Sequence, residues 1–149
     1  MPPISPNFDN DFIDEKIKVG SIVSIDIDGI NHPKWNIVLD FTDDKCLVAS
    51  VFINTNIYFK NLNNKELEAL QYTVDTEKYS FLDHNSVIDC SKVFTEPYAK
   101  FKDALIKNAV RKKGDLPEGE IEIITELLRK SKEITGKTKK KFKRLFNKN

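Results

Sequence analysis

The stretch KWNIVLDFTDDKCLVASVFI, residues 34–53, decides the fold. Residues 35–41 form an apolar run, Asp43-Asp44 supplies turn residues, and residues 45–53 form a second apolar run. Two such runs joined by a short polar turn predict an antiparallel hairpin. The second run is nearly continuous in apolar side chains, so we expect its strand to be central and covered on both faces.

Further short strands flank this predicted hairpin. After Gly20, apolar and polar residues alternate up to Asp28-Gly29, which is the period-two pattern of a half-buried strand. Residues 79–82 and 86–90 predict two more strands. Five short strands with early turns favour a small, partly open barrel.

Helical periodicity dominates the rest of the chain. A short helix is predicted at residues 65–71 and three more follow residue 93, where the period changes to 3.6. The first of these three helices is predicted to start at Thr95-Glu-Pro and to end near Lys113-Gly114. The second should start at Leu116-Pro and end at Gly136. Thr138 should cap the third. The predicted apolar face consists of Tyr98, Phe101, Leu105 and Ala109 in the first helix, of Ile121, Ile124, Leu127 and Leu128 in the second, and of Phe142, Leu145 and Phe146 in the third. The predicted fold class is α+β, a five-stranded, partly open barrel packed with C-terminal helices.

Composition predicts one domain with tails. Residues 1–17 are expected to be a loosely ordered arm with three prolines and several acids, residues 18–113 the barrel with the first helix, and residues 114–149 a helical extension. The chain lacks an apolar run long enough to cross a membrane and a secretory leader pattern, so we expect a cytoplasmic protein. Cys46 and Cys90 each sit in an apolar segment, which favours two buried thiols over a disulfide or a metal site.

The net charge of +1 hides a strong segregation of charge. Residues 137–149 contain seven basic and no acidic side chains, which leaves 17 basic against 23 acidic side chains, a formal charge of −6, in residues 1–136. The basic segment is interpreted either as a contact surface for nucleic acid or an acidic partner, or as a solvated helix end. The candidate RNA-binding residues in it are Lys139, Lys140, Lys141, Lys143 and Arg144.

The polar residues around the hairpin suggest phosphate chemistry. Metal-free RNA cleavage needs a general acid and base and a cation that stabilises charge on the phosphate. Histidine in general titrates near neutral pH, so His32 is a candidate acid or base, and Lys34 is the candidate cation. Trp35 is a candidate for stacking on a base, against the alternative of packing in the core.

Acidic residues near the hairpin form no recognisable metal-binding pattern. We interpret them as strand-edge and turn residues, and we expect no metal and no cofactor. The residues concerned are Asp26, Asp28, Asp40, Asp43 and Asp44.

The chain resembles the MazF/PemK family of toxin endoribonucleases. The likeness rests on residues 20–28, on the hairpin segments 34–39 and 46–55, and on residues 86–93, in the family's order. It implies an SH3-like barrel, cleavage of single-stranded RNA without a metal, a homodimer, and neutralisation by a small antitoxin protein. It also implies that Lys34 occupies the place of the family's catalytic arginine. Thr55 would take the place of the threonine that assists catalysis in the family, if the alignment is shifted by about three residues at the end of the strand. Asn54 beside it is a candidate RNA-binding residue.

Two other functions stay open at this point. Lys34-Trp35 stands where Arg-Pro is usual, and lysine lacks the planar fork that binds phosphate through two hydrogen bonds. This favours a barrel without catalysis that binds nucleic acid or protein. A purely structural assembly protein is the third hypothesis.

Overall fold

The computed structural model describes residues 12–25, 34–54, 65–74, 77, 79, 82, 86–107 and 111–146. Within these residues there are seven strands: β1 (Ser21–Ile25), β2 (Lys34–Phe41), β3 (Leu47–Asn54), β4 (Gln71–Val74), β5 (Ser86–Asp89), β6 (Phe94–Pro97) and β7 (Lys112–Asp115). The helices are α1 (residues 12–16), α2 (Lys65–Ala69), α3 (Tyr98–Lys107), α4 (Glu118–Lys130), α5 (Gly136–Lys141) and α6 (Lys143–Phe146). The α+β class is confirmed.

The strands form one antiparallel sheet that curls into a half-barrel. Its order is β4-β5-β3-β2-β1-β7, and β6 pairs with β3 on the edge that β5 also uses. The predicted β2–β3 hairpin is confirmed, as is the central position of β3, because β3 has partners on both edges. The sheet has seven strands where five were expected, because β4, β6 and β7 were not predicted and the strand predicted at residues 79–82 is not among the seven.

Each face of the sheet packs against helices. The first core joins Ile37 and Val51 of the sheet to Leu128 of α4 and to Phe142 and Leu145 near the C-terminus. The second core joins alternate sheet residues to helices α1 and α3. Because both faces are covered, β1 is buried along its whole length, and the expectation of a half-buried strand was wrong.

Helix α3 and the N-terminal segment build the second core. Tyr98, Phe101 and Leu105 of α3 are buried there, as their helical spacing predicted. Ile13 and Ile17 are buried against them, so the described end of the expected arm is anchored. Residues 1–11 lie outside the described part of the chain, as does Ala109.

Helix α4 presents its predicted stripe to the first core. Ile124 and Leu128 are buried, and Ile121 and Leu127 are half-buried and pack against the same cluster. A close approach fixes the helix against the start of β1: Gly20 has φ +94°, and a Cβ there would lie 2.6 Å from Ile121 Cδ1. Only glycine fits this position without strain.

Several predicted boundaries were wrong. Thr95 to Pro97 belong to β6 instead of a helix start, and Lys113-Gly114 lie in β7. The cap of α5 is Thr135, whose Oγ1 accepts a hydrogen bond from Thr138 N, while Gly136 begins that helix. Tyr79 and Leu82 lie in irregular backbone where a strand was predicted, and the two residues between them are outside the described part.

The two cysteines have different environments. Cys90 is buried, as predicted, and burial raises the pKa of its thiol to about 12. Cys46 is exposed in the turn before β3, so the prediction that it is buried was wrong. A hydrogen bond with the Asp44 carboxylate, together with its charge, raises the pKa of the Cys46 thiol.

Candidate nucleic-acid interface

The predicted site residues near the hairpin lie at its open end. Lys34 is the first residue of β2 and Asn54 the last of β3, and the pairing of Trp35 with Ile53 makes these strand ends neighbours. His32 precedes Lys34 by two residues and Thr55 follows Asn54, but both lie outside the described residues, as does the side chain of Asn54.

Lys34 and Trp35 point to opposite faces of the sheet. Ile37 belongs to the first core and Val38 to the second, and side chains alternate along a strand. Trp35 is therefore on the side of the first core, where it packs partly buried, and Lys113 Nζ lies 5.5 Å from its ring centroid. Lys34 is half-buried on the side of the second core.

An aromatic pair shares the face of Lys34. Phe52 of β3 and Phe94 of β6 have ring centroids 5.6 Å apart at an interplanar angle of 37°. Phe52 is half-buried, whereas Phe94 is 43% exposed. The sequence analysis did not single out Phe94; its only signal was an aromatic residue next to a polar segment.

Two polar residues lie beside the aromatic pair on the same side of the sheet. Asn36 lies directly opposite Phe52, and Ser50 lies between Val38 and Phe94 in the sheet. Asn36 and Ser50 are buried, and Asn36 Nδ2 donates to the Lys34 carbonyl at 3.2 Å. That hydrogen bond ties the side chain to the backbone at the start of β2. We call the five residues Lys34, Asn36, Ser50, Phe52 and Phe94 the open face.

The open face lies on this side of the sheet, beyond the part that α3 covers. Tyr98, Phe101 and Leu105 cover Val38 and Val48 further along the strands. The open face thus offers the exposed ring of Phe94, with the half-buried cation Lys34 on the same side of the sheet and the buried Asn36 between Phe52 and Lys34. Such an arrangement is suited to stacking on an unpaired base while a phosphate lies near the cation.

The C-terminal basic residues lie elsewhere. Arg144 of α6 donates from Nη2 to the Phe41 carbonyl at 2.8 Å, and the same atom lies 3.3 Å from Asp40 Oδ1 and 3.7 Å from Asp43 Oδ1. Phe41 ends β2, so the distance from there to Lys34 is about 20 Å at the usual rise per strand residue. The predicted RNA-binding residues therefore form two separate groups.

Arg144 is engaged with the body of the protein. Asp40 is buried, and burial raises the pKa of its carboxyl, although a hydrogen bond from Phe41 N–H and the charge of Arg144 act in the opposite direction. The ion pair compensates part of the cost of burying a carboxylate. Lys139, Lys140, Lys141 and Lys143 lie on the surface around it, with Lys139 half-buried.

The acidic residues of the hairpin turn have local structural roles. Asp44 Oδ1 accepts hydrogen bonds from Thr42 Oγ1 at 2.7 Å and from Cys46 N at 3.0 Å. Across the described residues, no three acidic, histidine or cysteine side chains are grouped as metal ligands. Asp26 and Asp28 are outside that part of the chain.

Comparisons with known proteins add no relative. No protein-family model matches the chain, and no curated protein does. Among the described residues, no helix is long and apolar enough to cross a membrane. The functional argument therefore rests on the geometry of the open face and on the sequence pattern.

Proposed function

We propose that this protein is a MazF/PemK-like, toxin-type protein with an SH3-like barrel that binds single-stranded RNA on the open face. The observation that carries the proposal is the exposed Phe94 ring, held against Phe52 on the same side of the sheet as Lys34. Stacking of a base on an aromatic side chain is worth about 1–3 kcal/mol and tolerates any base. The half-buried Phe52 ring packs against Phe94, and a ring held in place in this way loses little entropy on binding.

We further propose that the protein cleaves the RNA it binds, as an endoribonuclease. Lys34 would stabilise the charge that develops on the scissile phosphate, and His32 would transfer a proton as acid or base. Thr55 would assist from the exit of β3. Support comes from the sequence positions of His32 and Thr55, which adjoin the neighbouring ends of β2 and β3.

The proposed partners follow from the same resemblance. A small antitoxin would occupy the RNA surface, and a homodimer would be the working form. An antitoxin segment that carries acidic side chains would compete with RNA for Lys34. The exposed Phe94 ring would provide apolar contact area for it.

A binding assay tests the open face. We expect Phe94→Ala to weaken binding of a fluorescent single-stranded RNA of mixed sequence about 5- to 150-fold, which corresponds to the loss of one stacking contact of about 1–3 kcal/mol. Ile123→Ala is the matched control, because Ile123 is 42% exposed on α4 and belongs to no part of the open face. Equal affinities for the two variants would refute the open face as the RNA site.

A cleavage assay separates the enzyme from a binding module without catalysis. The module is favoured by one observation, the lysine in the place where the family carries arginine. If the wild type cuts RNA in the presence of a metal chelator and Lys34→Ala does not, the protein is the enzyme. If the wild type binds RNA and leaves it intact, the protein is a binding module without catalysis.

A further inference from the structure

The two C-terminal helices carry a group of lysines without acidic partners. Lys137, Lys140, Lys141 and Lys143 are exposed, and Lys139 is half-buried. Within the described part of the chain, none of the five forms an ion pair with an acidic side chain. This contrasts with Arg144, whose guanidinium is bound to β2 and to the hairpin turn.

The lysines stand on a fixed backbone. Phe142 and Leu145 are 1% and 4% exposed in the first core, so the segment is not a loose tail. Arg129 of α4 donates from Nε to the Leu145 carbonyl at 2.9 Å and from Nη2 to the Arg144 carbonyl at 3.4 Å. The last turn of α6 is thereby tied to α4.

Three of the lysines are neighbours on one side of α5. Lys140 and Lys141 follow Lys137 by three and four residues, which places the Cβ atom of Lys137 about 5–6 Å from each of theirs. Like charges at this spacing destabilise a helix by a few tenths of a kcal/mol per pair. An anionic ligand that lies across them would remove this repulsion.

We propose that Lys137, Lys140 and Lys141 form a second nucleic-acid site that binds the phosphate backbone irrespective of base sequence. Adjacent phosphates suit a row of cations, and their binding is driven by release of counterions. The site is separate from the open face, because α5 and α6 pack on the side of the first core and the open face lies on the side of the second. The inference therefore does not depend on the proposed function.

A nucleic acid is favoured over a membrane surface by the packing of the helices. A helix that lies on a bilayer inserts an apolar face between the lipids. Here Phe142 and Leu145 are already buried in the first core and Phe146 packs partly buried against it. The lysines therefore offer charge without an apolar face for insertion.

The test compares two triple variants of the full chain with the same change in net charge. The row variant, Lys137→Gln/Lys140→Gln/Lys141→Gln, removes the three lysines of the proposed site. The control variant, Lys65→Gln/Lys92→Gln/Lys107→Gln, removes three exposed lysines from other parts of the chain. Affinity for a single-stranded RNA is measured at several salt concentrations. We expect the row variant to lower the slope of log K against log salt by about 2, since each phosphate contact on a single strand contributes about 0.7.

The control variant should keep the wild-type slope. Phe94→Ala should weaken binding without changing the slope, so failure of the second site is distinguishable from failure of the open face. Identical slopes for the two triple variants would overturn the proposal. Binding of the same variants to vesicles of anionic phospholipid is measured in parallel. A loss confined to the vesicles would also overturn the proposal, because it would assign these lysines to a membrane surface.

Discussion

Substitution of Phe142 tests whether the C-terminal helices belong to the folded core. Its side chain is 1% exposed and lies in the first core with Leu128 and Leu145. Truncation of a buried phenylalanine to alanine removes apolar contact and leaves a cavity, at a cost of about 3–5 kcal/mol. A chain of 149 residues has a free energy of unfolding of about 7–22 kcal/mol at the usual value per residue, so Phe142→Ala should remove a substantial part of it.

Urea denaturation followed by circular dichroism and tryptophan fluorescence measures this loss. Lys141→Ala is the matched control, because Lys141 precedes Phe142 in the chain and is exposed. It should change the free energy of unfolding by less than about 0.5 kcal/mol, as surface substitutions usually do. A loss below about 1 kcal/mol for Phe142→Ala would show that α5 and α6 are not packed in the first core.

Two further predictions concern titratable side chains. A thiol reagent at pH 8 should label Cys46 alone in the native protein and both cysteines in urea, because Cys90 is buried and its thiol has a pKa of about 12. Fast reaction of both thiols in the native protein would contradict the structure. A hydrogen bond from Lys102 Nζ at 2.8 Å, helped by one from the Tyr98 hydroxyl, lowers the pKa of Asp14. The ionised Asp14 carboxylate therefore stabilises the fold at pH values above its unfolded pKa, and this contribution is lost as the pH falls through its folded pKa. Asp14→Asn should therefore reduce the free energy of unfolding at pH 7 by up to about 1 kcal/mol, the range for exposed pairs, and the difference should decrease as the pH falls below the unfolded pKa. A difference in thermal denaturation that is as large at pH 2 as at pH 7 would contradict this assignment.

The sequence determined the elements whose signal is local. The β2–β3 hairpin was predictable because two apolar runs flank a turn of aspartates, and α3 and α4 because their apolar residues recur every three or four positions. The hairpin also determined that Lys34 and Asn54 lie at the same end. The opposite directions of Lys34 and Trp35 follow from the pleat of a strand, a consequence that the sequence analysis did not draw.

The three unpredicted strands depend on partners that are distant in sequence. Residues 112–115, KKGD, have no apolar alternation, yet they form β7 because the free edge of β1 offers backbone donors and acceptors. In the same way β6 pairs with β3 although its residues are largely exposed. No local period distinguishes such strands from loops.

The candidate site divides in the same manner. The sequence alone determined the cation at the start of β2 and the run of lysines near the C-terminus. Only the tertiary structure decided that Phe94 lies against Phe52, and that Arg144 is bound to β2 while the neighbouring described lysines form no ion pair. The physical reason is that periodicity records which side of an element is apolar, whereas pairing of sheet edges and docking of helices set which distant side chains meet.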